Sequence, residues 1–213
     1  MHIPDGFLSA PVWIGTTVVS ATAVGVAVRG ANRELDDVRV PLMGVMGAFV
    51  FAAQMINFPI PFGTSGHLTG AVLLMVLLGS RPALLAMACI LIVQCLLFAD
   101  GGLSSLGANI LNMAVIPVSI GSFMYRGLRP SLGWRAAAGL TAWTTVVISA
   151  AAASLEGAVS GTWPLRQSLL LMCGAHFVIG AVEGAITMAV LSFITRVRHD
   201  LLPQTGSGDK TQE

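Results

Sequence analysis

The sequence predicts an all-α integral membrane protein, a bundle of about seven transmembrane helices with the N-terminus outside and the C-terminus cytoplasmic. Three observations carry this: a composition too apolar for a water-facing surface, a succession of apolar runs, and the one-sided placement of arginine. Of 213 residues, 55% are hydrophobic and 10% charged, with a mean hydropathy of +0.83. A soluble domain carries roughly 25% charged residues, so this chain meets lipid.

Apolar runs punctuated by charge, Gly and Pro fall at roughly 10–28, 40–57, 67–79, 82–99, 104–125, 135–155 and 168–195. A hydrocarbon core about 30 Å thick takes about 20 residues of helix, so the third run is a candidate partial span. Arg29, Arg33, Arg39, Arg81, Arg126, Arg129, Arg135, Arg196, Arg198 and Lys210 share one side of a seven-span arrangement, and only Arg166 falls on the other. Basic residues mark the cytoplasmic side. The outside connections are then the first six residues, the loop 57–66, the Asp100-Gly101-Gly102 turn and the segment 156–166. Residues 1–200 read as one transmembrane domain, and 201–213 as a polar cytoplasmic tail expected to be disordered.

Several classes of function are excluded or disfavoured. A net charge of +1 gives no basic face for nucleic acid. No G-x-x-x-x-G-K-[ST] run is present, so ATP is not hydrolysed by that route. Cys89, Cys95 and Cys173 lie in apolar runs without zinc or disulfide spacing and read as packing residues. No Lys or Arg precedes Arg29, unlike a cleavable signal peptide, so the written N-terminus is expected to be the mature one.

That expectation directs attention to Met1-His2. A bulky second residue protects Met1 from removal, leaving its amine free. The Met1 amine, the His2 amide nitrogen and the His2 imidazole can wrap one metal ion through fused chelate rings. Square-planar nitrogen ligation suits Ni(II) or Cu(II), and the amide nitrogen joins once deprotonated. A fourth corner is needed, and His67, at the start of the third run on the same outer side, is the candidate. Pro4, Asp5 and Gly6 turn the segment so that Met1 points inward. Asp5 is expected to cap the first helix or to bond His2. Gly63 and Gly66 allow a tight approach around Ser65, and Pro59 and Pro61 stiffen the loop. Taken singly, a terminal His or a His at a helix start is more often structural than a ligand.

Met1-His2-Ile3-Pro4-Asp5-Gly6-Phe7-Leu8-Ser9 resembles the opening of the CbiM/NikM proteins, the substrate-binding components of energy-coupling-factor transporters for cobalt and nickel. The resemblance continues in Gly63-Thr64-Ser65-Gly66-His67-Leu68, in Phe98-Ala99-Asp100-Gly101-Gly102-Leu103 and in Leu106-Gly107-Ala108-Asn109-Ile110-Leu111-Asn112-Met113. It implies metal ligation by the Met1 amine, the His2 amide and imidazole, and His67. Read from the residues themselves, Asp5, Asn57 in the outer loop and Ser65 are the surrounding candidates. The resemblance also implies nickel or cobalt as transported substrate, no organic cofactor, and a prokaryotic plasma (inner) membrane. The partners implied are a transmembrane coupling protein, cytoplasmic ATPases and a small accessory membrane subunit.

Other polar residues stand in apolar surroundings. Gln54, Asn57, Gln94, Asn109 and Asn112 can form a network holding the N-terminal segment, or simply bridge helices. His176 and Glu183 share a face of the seventh run and give the rival reading, a proton-coupled secondary transporter. Ala21/Gly25 and Ala23/Ala27 are small-residue pairs able to meet the coupling protein. A serine hydrolase built on Ser104 and His176 is the enzyme alternative, with nothing to bring the pair together. The choice between nickel and cobalt is left open.

Overall fold

The computed structural model describes residues 1–31, 33, 35–62 and 64–197. Arg198, Lys210, Gly63 and the 201–213 tail, on which earlier expectations rest, lie outside the described residues. The elements run α1 (Ala10–Ala31), α2 (Arg39–Gln54), β1 (Phe58–Ile60), β2 (Thr64–Gly66), α3 (Ala71–Leu78), α4 (Ser80–Phe98), α5 (Leu106–Ile110), a π-helical turn (Leu111–Val115), α6 (Ile116–Val159) and α7 (Leu165–Val197). The molecule is a multi-pass membrane protein. Among the described residues four helical stretches are long and apolar enough to cross a bilayer: Ala10–Ala31, Ser80–Phe98, Leu106–Val159 and Leu165–Val197.

The 44 residues of α6 do not form one rod. At 1.5 Å per residue a straight helix of that length would span about 66 Å. Yet Asn112, just before it, donates to Glu156 near its far end at 2.7 Å. The chain reverses at Gly133, whose φ of 74° and ψ of 162° are non-helical. The residues beyond Gly133 pack along α7 through small side chains. A Cβ on Gly184 would sit 2.7 Å from the Gly139 carbonyl, so the two backbones approach as closely as glycine allows.

The third apolar run contracts to eight helical residues, all buried. That is about 12 Å of helix, well short of a bilayer. Glycines in extreme conformations bound it, Gly70 at φ 75° and Gly79 at φ 95°. His67 consequently lies in the extended link before α3, and does not begin a helix as the apolar run suggested. The 57–66 loop is also more ordered than a loop: it is an antiparallel ribbon pairing Phe58 with Gly66, Pro59 with Ser65 and Ile60 with Thr64. Gly66 serves the ribbon by its small size, because a Cβ there would meet the Phe58 ring and Ile60 at 2.8 Å.

The ends of the bundle are chemically distinct. Arg39, Ser80, Tyr125 and Arg126 line a cleft at one end, and the Arg81 side chain lies against Gly30 nearby. At the other end the N-terminal segment, the ribbon and the α6–α7 connection meet. Buried Trp163 sits there between Phe7 and Phe62, with ring centroids 6.1 and 5.9 Å away. Of the two small-residue pairs on α1, Ala21 and Gly25 are exposed, whereas Ala27 is buried.

A Cβ on Gly157 would fall 2.2 Å from the Trp163 ring. We expect Gly157→Ala to force Trp163 aside and to destabilise the fold by about 1–3 kcal/mol. A lowered thermal midpoint in detergent checks this, with Gly174→Ala, which meets nothing within 4 Å, as the neutral control.

Candidate metal centre

The first residues enter the bundle as open chain. Met1 and Ile3 are fully buried and His2 nearly so. Buried main-chain polar groups need partners, and Ile3 obtains them from a single side chain: its N–H donates to Asn109 Oδ1 at 2.8 Å and its carbonyl accepts from Asn109 Nδ2 at 3.1 Å. The same carbonyl accepts from Gly102 N at 2.9 Å. The crossing is tight enough that a Cβ on Gly102 would lie 2.2 Å from Asp5 N, and one on Gly101 2.8 Å from Asn109 Nδ2. Gly6, at φ 84°, makes the turn out of the bundle.

This path delivers three nitrogens to one point. His67 Nε2 lies 3.1 Å from the Met1 amine and 3.1 Å from His2 Nδ1. The two imidazole rings stack with centroids 4.7 Å apart. The Met1 amine also donates to the Ser65 carbonyl, and Ser65 Oγ is 3.4 Å from His2 Nδ1. The peptide N–H of His2 donates to no group among the described residues, unlike its neighbour Ile3. His2 Nε2 faces Gln94 Oε1 at 3.1 Å, and His67 Nδ1 faces the Leu68 carbonyl at 2.7 Å. Both outer ring nitrogens therefore carry their hydrogens, and both inner ones present lone pairs to the same space.

Burial keeps those lone pairs free of protons. Desolvation lowers the Met1 amine from 8.0 to about 5, against the pull of the Asp100 carboxylate. Desolvation and then the nearby amine lower His2 from 6.5 to about 3. The same two causes, followed by His2 and His176, hold His67 well below its ordinary value. Asp100 is pushed up by burial, and its Oδ1 lies 3.3 Å from His2 Nδ1.

The surrounding candidates fall out differently. Asp5 neither caps α1 nor reaches His2. Its carboxylate instead accepts from Leu103 N at 3.1 Å, Ser104 N at 2.8 Å and Ser104 Oγ at 2.5 Å, tying the N-terminal segment to the turn before α5. Ser104 is thereby committed to Asp5, and no contact links it with His176. Asn57 is exposed and donates to Asp100 Oδ2 at 3.3 Å, so it touches the nitrogen cluster only through Asp100. Glu183 and His176 do not pair: Glu183 accepts from Thr69 N at 2.6 Å and Gly70 N at 2.8 Å, while His176 Nδ1 donates to the Met172 carbonyl at 2.8 Å. Asp100 is the residue that reading the sequence missed, since Asp100-Gly101-Gly102 looked like a turn and nothing more. Its signal was an acidic residue beside two glycines on the same outer side as His2.

A family model described as "Cobalt uptake substrate-specific transmembrane region" matches residues 2–201. The chain belongs to the CbiM family. Among its CbiM-type relatives, a Haloquadratum walsbyi protein named for metal transport is 41% identical over 208 residues, covering 95% of this chain and 93% of that protein. The Geobacter sulfurreducens cobalt transport protein CbiM is 34% identical over 226 residues, covering 98% of this chain and 63% of the relative. A solved structure titled as a truncated transition metal transporter superposes with a TM-score of 0.87 at 32% identity, covering 92% of this chain and 99% of that one. Relatives of this CbiM protein are named as cobalt and nickel transport proteins, so the chain belongs to a family of transporters and not of enzymes.

Because Asn109 bonds both the N–H and the carbonyl of Ile3, we expect Asn109→Leu to release the N-terminal segment while leaving the helices folded. The Ile3 backbone amide, which bonds Asn109 in the native protein, should then exchange with deuterium at least about 10-fold faster, since a buried hydrogen bond lost is worth about 1–3 kcal/mol.

Proposed function

We propose that this chain is the substrate-capture subunit of an ATP-driven energy-coupling-factor importer for Ni(II) or Co(II). In this reading the ion is bound by the Met1 amine, the His2 amide and Nδ1, and His67 Nε2. The observation that carries it is the placement of His67 Nε2 at 3.1 Å from both the Met1 amine and His2 Nδ1. In a square plane the terminal tripod of amine, amide and Nδ1 occupies three successive corners. The fourth ligand is then adjacent to the first and third, which is where His67 stands. A square with that edge has its centre about 2.2 Å from each corner, in the range of transition-metal bonds to imidazole such as zinc's, about 2.0–2.1 Å.

The chemistry of the pocket supports a dication. Binding converts the unpaired His2 N–H into an anionic ligand, and Asp100 supplies a second negative charge beside it, so a divalent ion is neutralised. Its neutral nitrogens need not shed protons first. The bonds that the two imidazoles donate to Gln94 Oε1 and the Leu68 carbonyl hold them in the ligating orientation, as outer partners do at metal centres generally.

With the arginine-bearing end in the cytoplasm, the nitrogen cluster opens to the outside of a prokaryotic plasma membrane. The ion is taken there, enclosed by the ribbon of residues 58–66, and released inward when ATP-driven movement of a coupling protein and its ATPases withdraws the ribbon from Met1. Exposed Ala21 and Gly25 on α1 offer close helix contact for that coupling protein. Selectivity between the two metals rests on enforced geometry, because nitrogen sites already favour Ni(II) over Co(II) by intrinsic affinity.

Titration of the purified chain with Ni(II) and Co(II) tests the site. We expect a yellow square-planar nickel spectrum that is abolished by one extra residue ahead of Met1, since the amine is fully buried and a peptide bond there removes its lone pair. Equal binding by the extended chain would eliminate Met1 as a ligand. Proton release gives a second check. With the amine at about 5 and His2 at about 3, neither carries a proton at pH 7, so one proton, that of the His2 amide, should leave per Ni(II) between pH 6 and 8. An ordinary amine at 8.0 would add nearly a second. Calorimetry in buffers of different ionisation enthalpy counts them.

A further inference from the structure

Between His2 and the link before α3 runs a file of buried amides whose direction is fixed from one end. The Thr69 carbonyl can only accept, so the Gln54 group facing it at 2.6 Å is the amide NH2. Gln54 then turns its Oε1 to Gln94, whose Nε2 donates at 2.9 Å. Gln94 in turn presents Oε1 to His2 Nε2 at 3.1 Å. His2 is left one choice: Nε2 carries the hydrogen and Nδ1 the lone pair. Gln54 and Gln94 are fully buried and Thr69 almost so, so a reversed amide would set buried donor against donor and acceptor against acceptor. The far end is itself held, because the Thr69 and Gly70 N–H groups both donate to Glu183.

We propose that Gln54 and Gln94 form a polarity relay that sets the tautomer of His2, making them positioning residues for ion capture. This rests on the reading of Met1, His2 and His67 as the ion site. Only Nδ1 can close a chelate ring with the His2 amide, for Nε2 lies on the far side of the imidazole. Were Gln94 reversed, its NH2 would meet Nε2, the hydrogen would move to Nδ1, and the third corner of the square would be blocked. The relay thus joins α2, α4 and the His67-bearing link to a single proton position.

The test compares the unaltered chain with Gln54→Met, Gln94→Met, Gln94→Glu and the double change Gln54→Met/Gln94→Glu. The readouts are the His2 tautomer by 15N NMR in metal-free protein and the Kd for Ni(II). We expect Gln54→Met to mix the tautomers and raise Kd about 10–100-fold, as loss of an outer partner does at metal sites. The double change should restore both, because a carboxylate accepts from Nε2–H with either oxygen and needs no orienting neighbour. A Gln54→Met protein with native tautomer and native Kd overturns the relay. So does a double variant as weak as Gln54→Met, which would mean that Gln54 acts through packing. Should Gln54→Met not fold, Gln94→Met and Gln94→Glu carry the comparison, with loss expected in the first and retention in the second; equal behaviour overturns the proposal. If the unaltered chain binds no Ni(II), the ion-site reading falls, and the metal-free tautomer still decides the relay.

Discussion

Nine residues of open chain precede α1, and the first three are laid into a bundle end where little water reaches. Main chain in such a place has to find its hydrogen bonds inside the protein. That requirement shapes what surrounds it. Asn109 answers the Ile3 peptide with both faces of its amide, Gly102 approaches closely enough to add another bond, and Asp5 gathers the turn before α5 against the entering segment. Of the first three residues, His2 alone has a main-chain nitrogen that donates to no group among the described residues.

The same economy governs the opposing wall. An eight-residue α3 cannot span, so the chain before it is free to run extended and to carry His67 to the amine. Such a segment is held by groups from elsewhere: the Glu183 carboxylate of α7 takes two consecutive N–H groups, and Gln54 of α2 takes the Thr69 carbonyl. Trp163, between Phe7 and Phe62, packs the ribbon and the N-terminal segment against one another. Burial has a chemical consequence as well as a mechanical one. The nitrogens stay neutral because a charged amine or imidazolium would be poorly solvated there.

Polar residues inside this bundle therefore do unequal work. Gln94 and Asp100 touch His2 directly, whereas Asn57 reaches the cluster through Asp100 and Asn112 through no contact at all, since it bonds Glu156 across the α6 reversal. His176 is buried beside the site with Nε2 unpartnered among the described residues. A residue's distance from the cluster in sequence says little about which of these parts it plays.

What the sequence determined by itself is the membrane class, the approximate positions of the apolar runs, the placing of Arg39, Arg81 and Arg126 at one end and the short reach of the third run. These follow from hydropathy and charge, which act locally and leave a readable period. The adjacency of the Met1 amine, the His2 amide and the His2 imidazole was legible too, because it depends on neighbouring atoms of one chain. Tertiary structure alone decided that Asp5 serves the α5 turn and not His2, that Asp100 stands beside the imidazole, and that α6 doubles back so that Asn112 meets Glu156. It also decided the direction of the Gln54–Gln94 file. Hydrogen bonds between residues dozens of positions apart depend on where helices cross and on which end of an amide faces an obligatory acceptor, and neither leaves a trace in the spacing of residues along the chain.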